Sequence, residues 1–174
     1  MKSILHEKTR SLYSLCIGEF CACIIFIFCL YMFSYRNIIN IDYAVIYPFI
    51  SLLIILLQGS YYWYYKLRII KKRNPDRIIF RKTYKVLKRL DFIMFILYPI
   101  GLIYLLILND ICVLRKENFF GTFLFVFGII EYINYFYIRL SYSKHEDIVA
   151  LFKFQNIKKS SLGKELEKNN SPIL

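Results

Sequence analysis

Residues 43–65 read YAVIYPFISLLIILLQGSYYWYY, an uncharged stretch long enough to cross a bilayer as one helix. Residues 12–34, 92–113 and 119–138 are also apolar, and each approaches or exceeds the roughly 20 residues that a crossing needs. The chain of 174 residues is 58% hydrophobic, and these residues are concentrated in the four stretches. Since soluble domains average about 45–50% apolar residues, the pattern predicts an integral membrane protein with four transmembrane helices.

The predicted fold class is therefore all-α. We expect an integral membrane four-helix bundle over residues 1–142, followed by a cytoplasmic short helix and a polar tail over residues 143–174. Ser143 and Glu146 have the spacing of a helix-capping box, which predicts the start of the short helix. The lysines, serines and asparagines after it are typical of a mobile terminal tail.

The distribution of charge predicts the orientation. The net charge of +12 comes mainly from the N-terminal segment, the loop between spans two and three, and the segment after span four. The positive-inside rule therefore places both termini and the second loop in the cytoplasm, with the spans in the plasma membrane. Because the basic residues flank spans and no nucleic-acid motif is present, we expect no nucleic-acid partner. The expected partners are the lipid bilayer with its anionic headgroups, and either a second copy of the chain or another membrane protein.

The second loop carries a helix-start signal. Asn74 is a capping residue, Pro75 suits the first turn, and Asp76 suits the positive end of the helix dipole. The residues that follow predict a basic amphipathic cytoplasmic helix between spans two and three, either lying on the membrane surface or extending span three. The expected lipid-headgroup contacts are Lys71, Lys72, Arg73, Arg77, Arg81, Lys82 and Lys85.

Two spans end in a similar polar-aromatic pattern. Gln58 precedes Lys66 by eight positions and Glu131 precedes Arg139 by eight, with an aromatic run between them in both cases. Duplication of a two-helix hairpin would explain the similarity. So would independent selection of aromatic and basic residues at the inner membrane interface.

The predicted topology brings several polar residues to one depth. Glu19, Gln58 and Glu131 each lie about 12 Å from the inner boundary at 1.5 Å per residue, and span three reaches that depth near Tyr98. We therefore expect a polar layer in the cytoplasmic leaflet. The candidates for a binding site, or for a proton or cation site, are Glu19, Gln58, Tyr62, Tyr98, Glu131, Asn134 and Tyr135.

Three interpretations of this layer remain open. A glutamate at mid-bilayer costs about 2.5–3.5 kcal/mol, by analogy with aspartate, so Glu19 and Glu131 should face protein or water. The polar groups could bond helix to helix and maintain packing. They could instead hold a proton, a cation or a ligand, with the tyrosines forming an aromatic cage, or they could form an oligomer contact.

Catalytic and metal-binding patterns are weak in this chain. Cys16, Glu19 and Cys23 share one helix face and could contribute to a soft-metal site, but no histidine lies within a span. Nucleophile-elbow, phosphate-loop and zinc-protease motifs are absent from the sequence. We therefore expect no metal, no other cofactor and no enzymatic activity.

Three segments carry a family resemblance: residues 58–63 (QGSYYW), residues 131–136 (EYINYF) and residues 158–162 (KKSSL). In these segments the chain resembles an uncharacterised group of small four-span membrane proteins of low-GC Gram-positive bacteria. The resemblance implies a membrane architecture over nearly the whole chain and no particular activity.

The sequence leaves the function open between classes. We expect a non-enzymatic bacterial membrane protein with an accessory, immunity or stress-related role. The alternative is a small transporter or channel for a proton-coupled or cationic solute, with Glu19 and Glu131 as charge carriers. A membrane-embedded enzyme is a third alternative.

Overall fold

The structure is a computed structural model that describes residues 2–71, 75–108, 115–138 and 160–167. Every regular element in the described part of the chain is a helix, as the sequence predicts. The elements are α1 (Lys2–Tyr35), α2 (Tyr43–Ile70), α3 (Arg77–Leu108), α4 (Lys116–Phe136) and α5 (Ser161–Glu167). Helices α1 to α4 are long and apolar enough to cross a membrane, which indicates a multi-pass membrane protein.

Helix α2 lies at the centre of the arrangement. Helices α1 and α4 pack along most of its length, and α3 packs against it less extensively. Two glycines allow the close approach of α2 and α4. The Tyr135 ring occupies the space that a side chain at Gly59 would need, and the backbone carbonyl of Ala44 does the same at Gly121. Small residues at such contacts are typical of membrane helix pairs.

Helix α3 is continuous from Arg77 to Leu108. The basic segment that follows span two is therefore the first part of the helix that includes span three, rather than a separate surface helix. Asp76 caps the start of α3, because its carboxylate accepts hydrogen bonds from the backbone N–H groups of Ile78 and Ile79. Asn74, the cap expected from sequence, and residues 109–113 at the end of span three lie outside the described residues.

Helix α5 corrects the prediction of a polar tail. Leu162 is only 2% exposed, and α5 packs against α3 and α4. The Ser160 backbone N–H donates to the Tyr137 carbonyl, which joins the start of α5 to the end of α4. The predicted short helix after Ser143 and the last part of the tail lie outside the described residues.

The core divides along α2 into an aliphatic part and an aromatic part. Near Tyr43, the core contains Val45, Leu52 and Leu124. Near Lys66, the aromatic ends of α2 and α4 pack together with rings from α3, including Tyr65 stacked on Phe80 with ring centroids 3.6 Å apart. We call these the Tyr43 end and the Lys66 end of the molecule.

Buried tyrosines link the helices through backbone carbonyls. The Tyr84 hydroxyl donates to the Gln58 carbonyl at 2.6 Å, and the Tyr132 hydroxyl donates to the Lys88 carbonyl at 3.2 Å. A tyrosine can thus bury its ring while its hydroxyl remains hydrogen-bonded. Such bonds allow Tyr84 and Tyr132 to lie inside the helix bundle.

Candidate functional site

A small cavity at the Lys66 end brings together four of the seven residues predicted as site candidates. The cavity measures about 120 Å³, and its lining includes Glu19 from α1, Tyr62 from α2, and Asn134 and Tyr135 from α4. Trp63, the single tryptophan of the chain, is also part of the lining. We call this space the Glu19 cavity.

The register between α1 and α2 directs Glu19 into the cavity. The Ser60 hydroxyl donates to the Cys16 carbonyl at 3.0 Å, and the Cys16 sulfur lies 3.6 Å from the same hydroxyl oxygen. Glu19 is one turn further along α1 and shares the face of Cys16. On the opposite wall, Gly59 leaves space for the Tyr135 ring to reach α2.

The second glutamate lies behind the cavity lining. The Asn134 amide donates to the Glu131 carboxylate at 3.3 Å, so Asn134 connects Glu131 with the cavity. The Glu19 and Glu131 carboxylates are close enough to interact electrostatically. Two carboxylates in apolar surroundings repel each other, and that repulsion falls when a cation or a proton lies between them.

Three aromatic side chains with polar groups line the cavity together with Glu19. The Tyr135 hydroxyl lies near both the Glu19 carboxylate and the Trp63 indole N–H, although not in hydrogen-bonding geometry with either. The Tyr62 hydroxyl is also buried, and it lies near the Ser161 side chain without hydrogen-bonding geometry. These groups are therefore available to a molecule in the cavity, because buried polar groups normally have partners.

Helix α5 covers one side of the cavity. Ser160, Ser161 and Leu162 contribute to the lining. The helix is held by Glu165, whose carboxylate lies 3.3 Å from the Lys66 ammonium and 3.5 Å from the Arg81 guanidinium. The sequence contained no clear signal for this contact, because Glu165 follows a serine- and lysine-rich segment.

Gln58 belongs to a separate polar cluster. Its side-chain amide donates to the Asp91 carboxylate at 2.9 Å, across the interface between α2 and α3. Gln58 therefore does not join Glu19 and Glu131 in one cavity, although its level along α2 is similar. Asp91 was not among the predicted site residues because it lies just before the apolar stretch 92–113, in the charged loop. Helical spacing was the available signal, since Asp91 shares the buried face of α3 with Tyr84 and Tyr98.

Tyr98 is not part of the predicted polar layer. Its hydroxyl donates to the Ala44 carbonyl at 3.1 Å, and its ring stacks near Tyr43 and Tyr47 at the Tyr43 end. The predicted depth assumed that the inner membrane boundary lies at the start of span three, at residue 92. Because Asp91 pairs with Gln58, Tyr98 lies about 10 Å further along the helix than the layer.

The predicted lipid-contact residues divide into two groups. Lys71, Arg77, Lys82 and Lys85 are exposed. Arg81 is directed inward, with its side chain 15% exposed and paired with Glu165, and so it is not an open headgroup contact. Lys72 and Arg73 lie outside the described residues.

The cysteine-glutamate set considered for a metal is separated in the structure. Cys16 faces Ser60, whereas Cys23 is buried in the aliphatic part of the core. Across the described ranges, no three histidine, cysteine, aspartate or glutamate side chains form a group that could hold a metal ion.

Comparisons with known proteins add no family to this description. No protein-family model matches the chain, and searches of curated proteins and of solved structures gave no significant match.

Proposed function

We propose that this chain is a non-enzymatic plasma-membrane protein that binds a small cation in the Glu19 cavity, with both termini and the α2–α3 connection in the cytoplasm. Its role would be accessory, in immunity or in a stress response. The proposal is supported by the bias of basic residues toward one end of the spans and by the composition of the cavity.

The observation that carries the proposal is a carboxylate that shares a small cavity with three aromatic side chains. Glu19 shares the cavity with Tyr62, Trp63 and Tyr135, and none of its described lining residues is cationic. Aromatic rings attract cations through their π faces, and this attraction increases in desolvated surroundings. The nearby Glu131 adds a second negative group that a bound cation would neutralise.

The size of the cavity restricts the ligand. At about 120 Å³ it is comparable with cavities that hold one benzene molecule, of roughly 150 Å³. Ammonium, methylammonium and tetramethylammonium are of suitable size. Their N–H or methyl groups would meet the aromatic rings and the unpartnered tyrosine hydroxyls.

The proposal can be tested by titrating the purified protein, in detergent micelles at constant ionic strength, with each of these three ammonium ions. Trp63 fluorescence reports binding directly, because Trp63 lines the cavity and is the single tryptophan of the chain. We expect Glu19→Gln to weaken binding roughly tenfold or more, since bonds to charged groups contribute about 1.5–3 kcal/mol.

Glu7→Gln is the matched control, because Glu7 is an exposed glutamate on the same helix. It should leave the affinity unchanged. The proposal fails if none of the three ammonium ions changes Trp63 emission, or if Glu19→Gln and Glu7→Gln bind them equally.

A transporter or channel is the second candidate, and the position of Glu131 beside the cavity, bonded to the lining residue Asn134, favours it. Two linked carboxylates could pass a proton or a cation between them. In proteoliposomes, a Glu19→Gln/Glu131→Gln double variant should then lose proton or cation flux while still assembling. Unchanged flux in the double variant would exclude this function.

A further inference from the structure

A second and larger cavity lies between α3, α4 and α5 at the Lys66 end. Its volume is about 690 Å³, within the range of small-molecule binding pockets. One part is lined by three cationic residues of α3, and the other part by apolar and aromatic side chains. We call this space the basic groove. It is distinct from the Glu19 cavity, and the two share no lining residue among those described.

The cationic part is formed by Lys85, Lys88 and Arg89, which lie within about one turn of α3. None of the described lining residues is acidic, and no ion pair in the described ranges involves any of the three. Their charges are therefore not neutralised by described parts of the protein. An anionic group would be complementary to them.

Lys88 is directed toward the groove by its aromatic neighbours. Its ammonium lies 3.9 Å from the Tyr137 ring centroid and 5.9 Å from that of Phe136. Its backbone carbonyl accepts a hydrogen bond from the Tyr132 hydroxyl. Lys88 is half-buried, whereas Lys85 and Arg89 are exposed. The ammonium is thus held beside the apolar wall instead of extending freely into solvent.

The apolar part of the groove continues directly from the cationic part. Phe92 and Ile93 follow Arg89 on α3 and line the groove together with Phe136 of α4. These α3 residues begin the apolar portion of the helix, which runs on to Leu108. The cationic part of the groove therefore suits the headgroup region of a membrane, and the apolar part suits the hydrocarbon region.

We propose that the basic groove binds one anionic phospholipid. Lys85, Lys88 and Arg89 would hold the phosphodiester, and the upper part of an acyl chain would lie along Phe92, Ile93 and Phe136. Basic pockets between membrane helices on the cytoplasmic side have this kind of specificity. The site differs from the diffuse attraction expected of exposed cations such as Lys71, Arg77 and Lys82, because it combines charge with an adjoining apolar wall.

The experiment compares two triple variants with equal loss of charge. In the groove variant, Lys85, Lys88 and Arg89 are replaced by glutamine; in the surface variant, Lys71, Arg77 and Lys82 are replaced. Native mass spectrometry of the purified protein, titrated with phosphatidylglycerol, measures retained lipid. We expect the groove variant to lose roughly tenfold or more in affinity, because its three cations hold the phosphodiester beside the apolar wall. The surface variant should bind nearly as the parent does.

Two further probes define the lipid class. Phosphatidylcholine with the same acyl chains should bind at least several-fold more weakly, because its headgroup is zwitterionic. Free glycerol phosphate should not compete at equal concentration, because it lacks the acyl chain. Equal losses in both triple variants, equal binding of the two lipids, or effective competition by glycerol phosphate would each overturn the proposal.

Single substitutions keep the test informative if a triple variant does not fold. Arg89→Gln removes one exposed groove cation, and Arg77→Gln removes one exposed cation of the same helix outside the groove. We expect only Arg89→Gln to reduce retention of phosphatidylglycerol, by several-fold. Equal retention by the two single variants would also overturn the proposal. None of these measurements depends on cation binding in the Glu19 cavity.

Discussion

Asp91 is a buried carboxylate with one known hydrogen-bond partner. It is 2% exposed, and one carboxylate oxygen accepts from Gln58. Its other oxygen and the Gln58 amide oxygen have no hydrogen bond to described residues. An asparagine in its place could satisfy both groups, since its amide both accepts and donates. The arrangement therefore depends on the shape and polarity of the side chain more than on its charge.

We predict that Asp91→Asn retains near-parental stability, whereas Asp91→Leu costs about 1–3 kcal/mol by leaving the Gln58 amide buried and unpaired. The double variant Asp91→Leu/Gln58→Leu should recover most of that loss, because both polar partners are then removed. Thermal unfolding in detergent micelles measures the stability of the three variants. An Asp91→Asn variant as unstable as Asp91→Leu would show instead that the ionised carboxylate is required.

Helix α5 connects the end of the chain to the candidate site. Leu162 is buried against the aromatic part of the core, and Glu165 bridges Lys66 of α2 and Arg81 of α3. Removing one partner of a partly buried ion pair leaves the other charges uncompensated. The stability of α5 therefore depends on Glu165, and so does coverage of the Glu19 cavity.

We predict that Glu165→Gln exposes Trp63 to solvent, because a loosened α5 opens one side of the cavity that Trp63 lines. Trp63 emission should shift to longer wavelengths and be quenched more strongly by acrylamide. Glu117→Gln is the matched control, since Glu117 also pairs with an arginine, at 3.5 Å, but at the Tyr43 end. Equal quenching in the two variants would contradict the role of α5 as a cover.

The charges of the molecule are unequally distributed between its two ends. At the Tyr43 end, Arg115 lies 3.7 Å from Asp42 and 3.5 Å from Glu117, and the Asn40 amide donates to Glu117 at 3.0 Å. This cluster contains two acidic residues and one arginine. The Lys66 end instead carries the exposed cations of α2 and α3. The positive-inside rule predicts from this asymmetry that the Lys66 end faces the cytoplasm.

We predict that the Lys66 end is cytoplasmic and the Tyr43 end is extracellular. In a cysteine-free background, a maleimide that cannot cross membranes should label Ile41→Cys on intact cells. It should label Thr83→Cys only after permeabilisation, because Thr83 is exposed on the basic part of α3. The reverse labelling pattern would contradict the orientation and the proposed position of the basic groove at the cytoplasmic surface.

The number and type of the long helices were predictable from the sequence. A segment such as residues 43–65 has no water in the bilayer to bond its backbone, so it must satisfy its N–H and C=O groups as a helix. The start of α2 at Tyr43 agrees with the predicted boundary, and Asp42 caps it through the Val45 backbone N–H. Of the residues predicted for the polar layer, Glu19, Asn134 and Tyr135 line one cavity.

The choice of contacting faces came from tertiary packing alone. Helix α2 is apolar on all sides, so its sequence could not show that Gln58 meets Asp91 while Gly59 meets Tyr135. Nor could the sequence show that Glu165 joins residues distant along the chain. The sequence of a segment alone determines whether it crosses the membrane as a helix. It must be apolar over a sufficient length, and a helix satisfies its backbone N–H and C=O groups within the same segment. Which polar groups share a cavity depends on helix rotation and register, which are set by contacts between segments far apart in the chain.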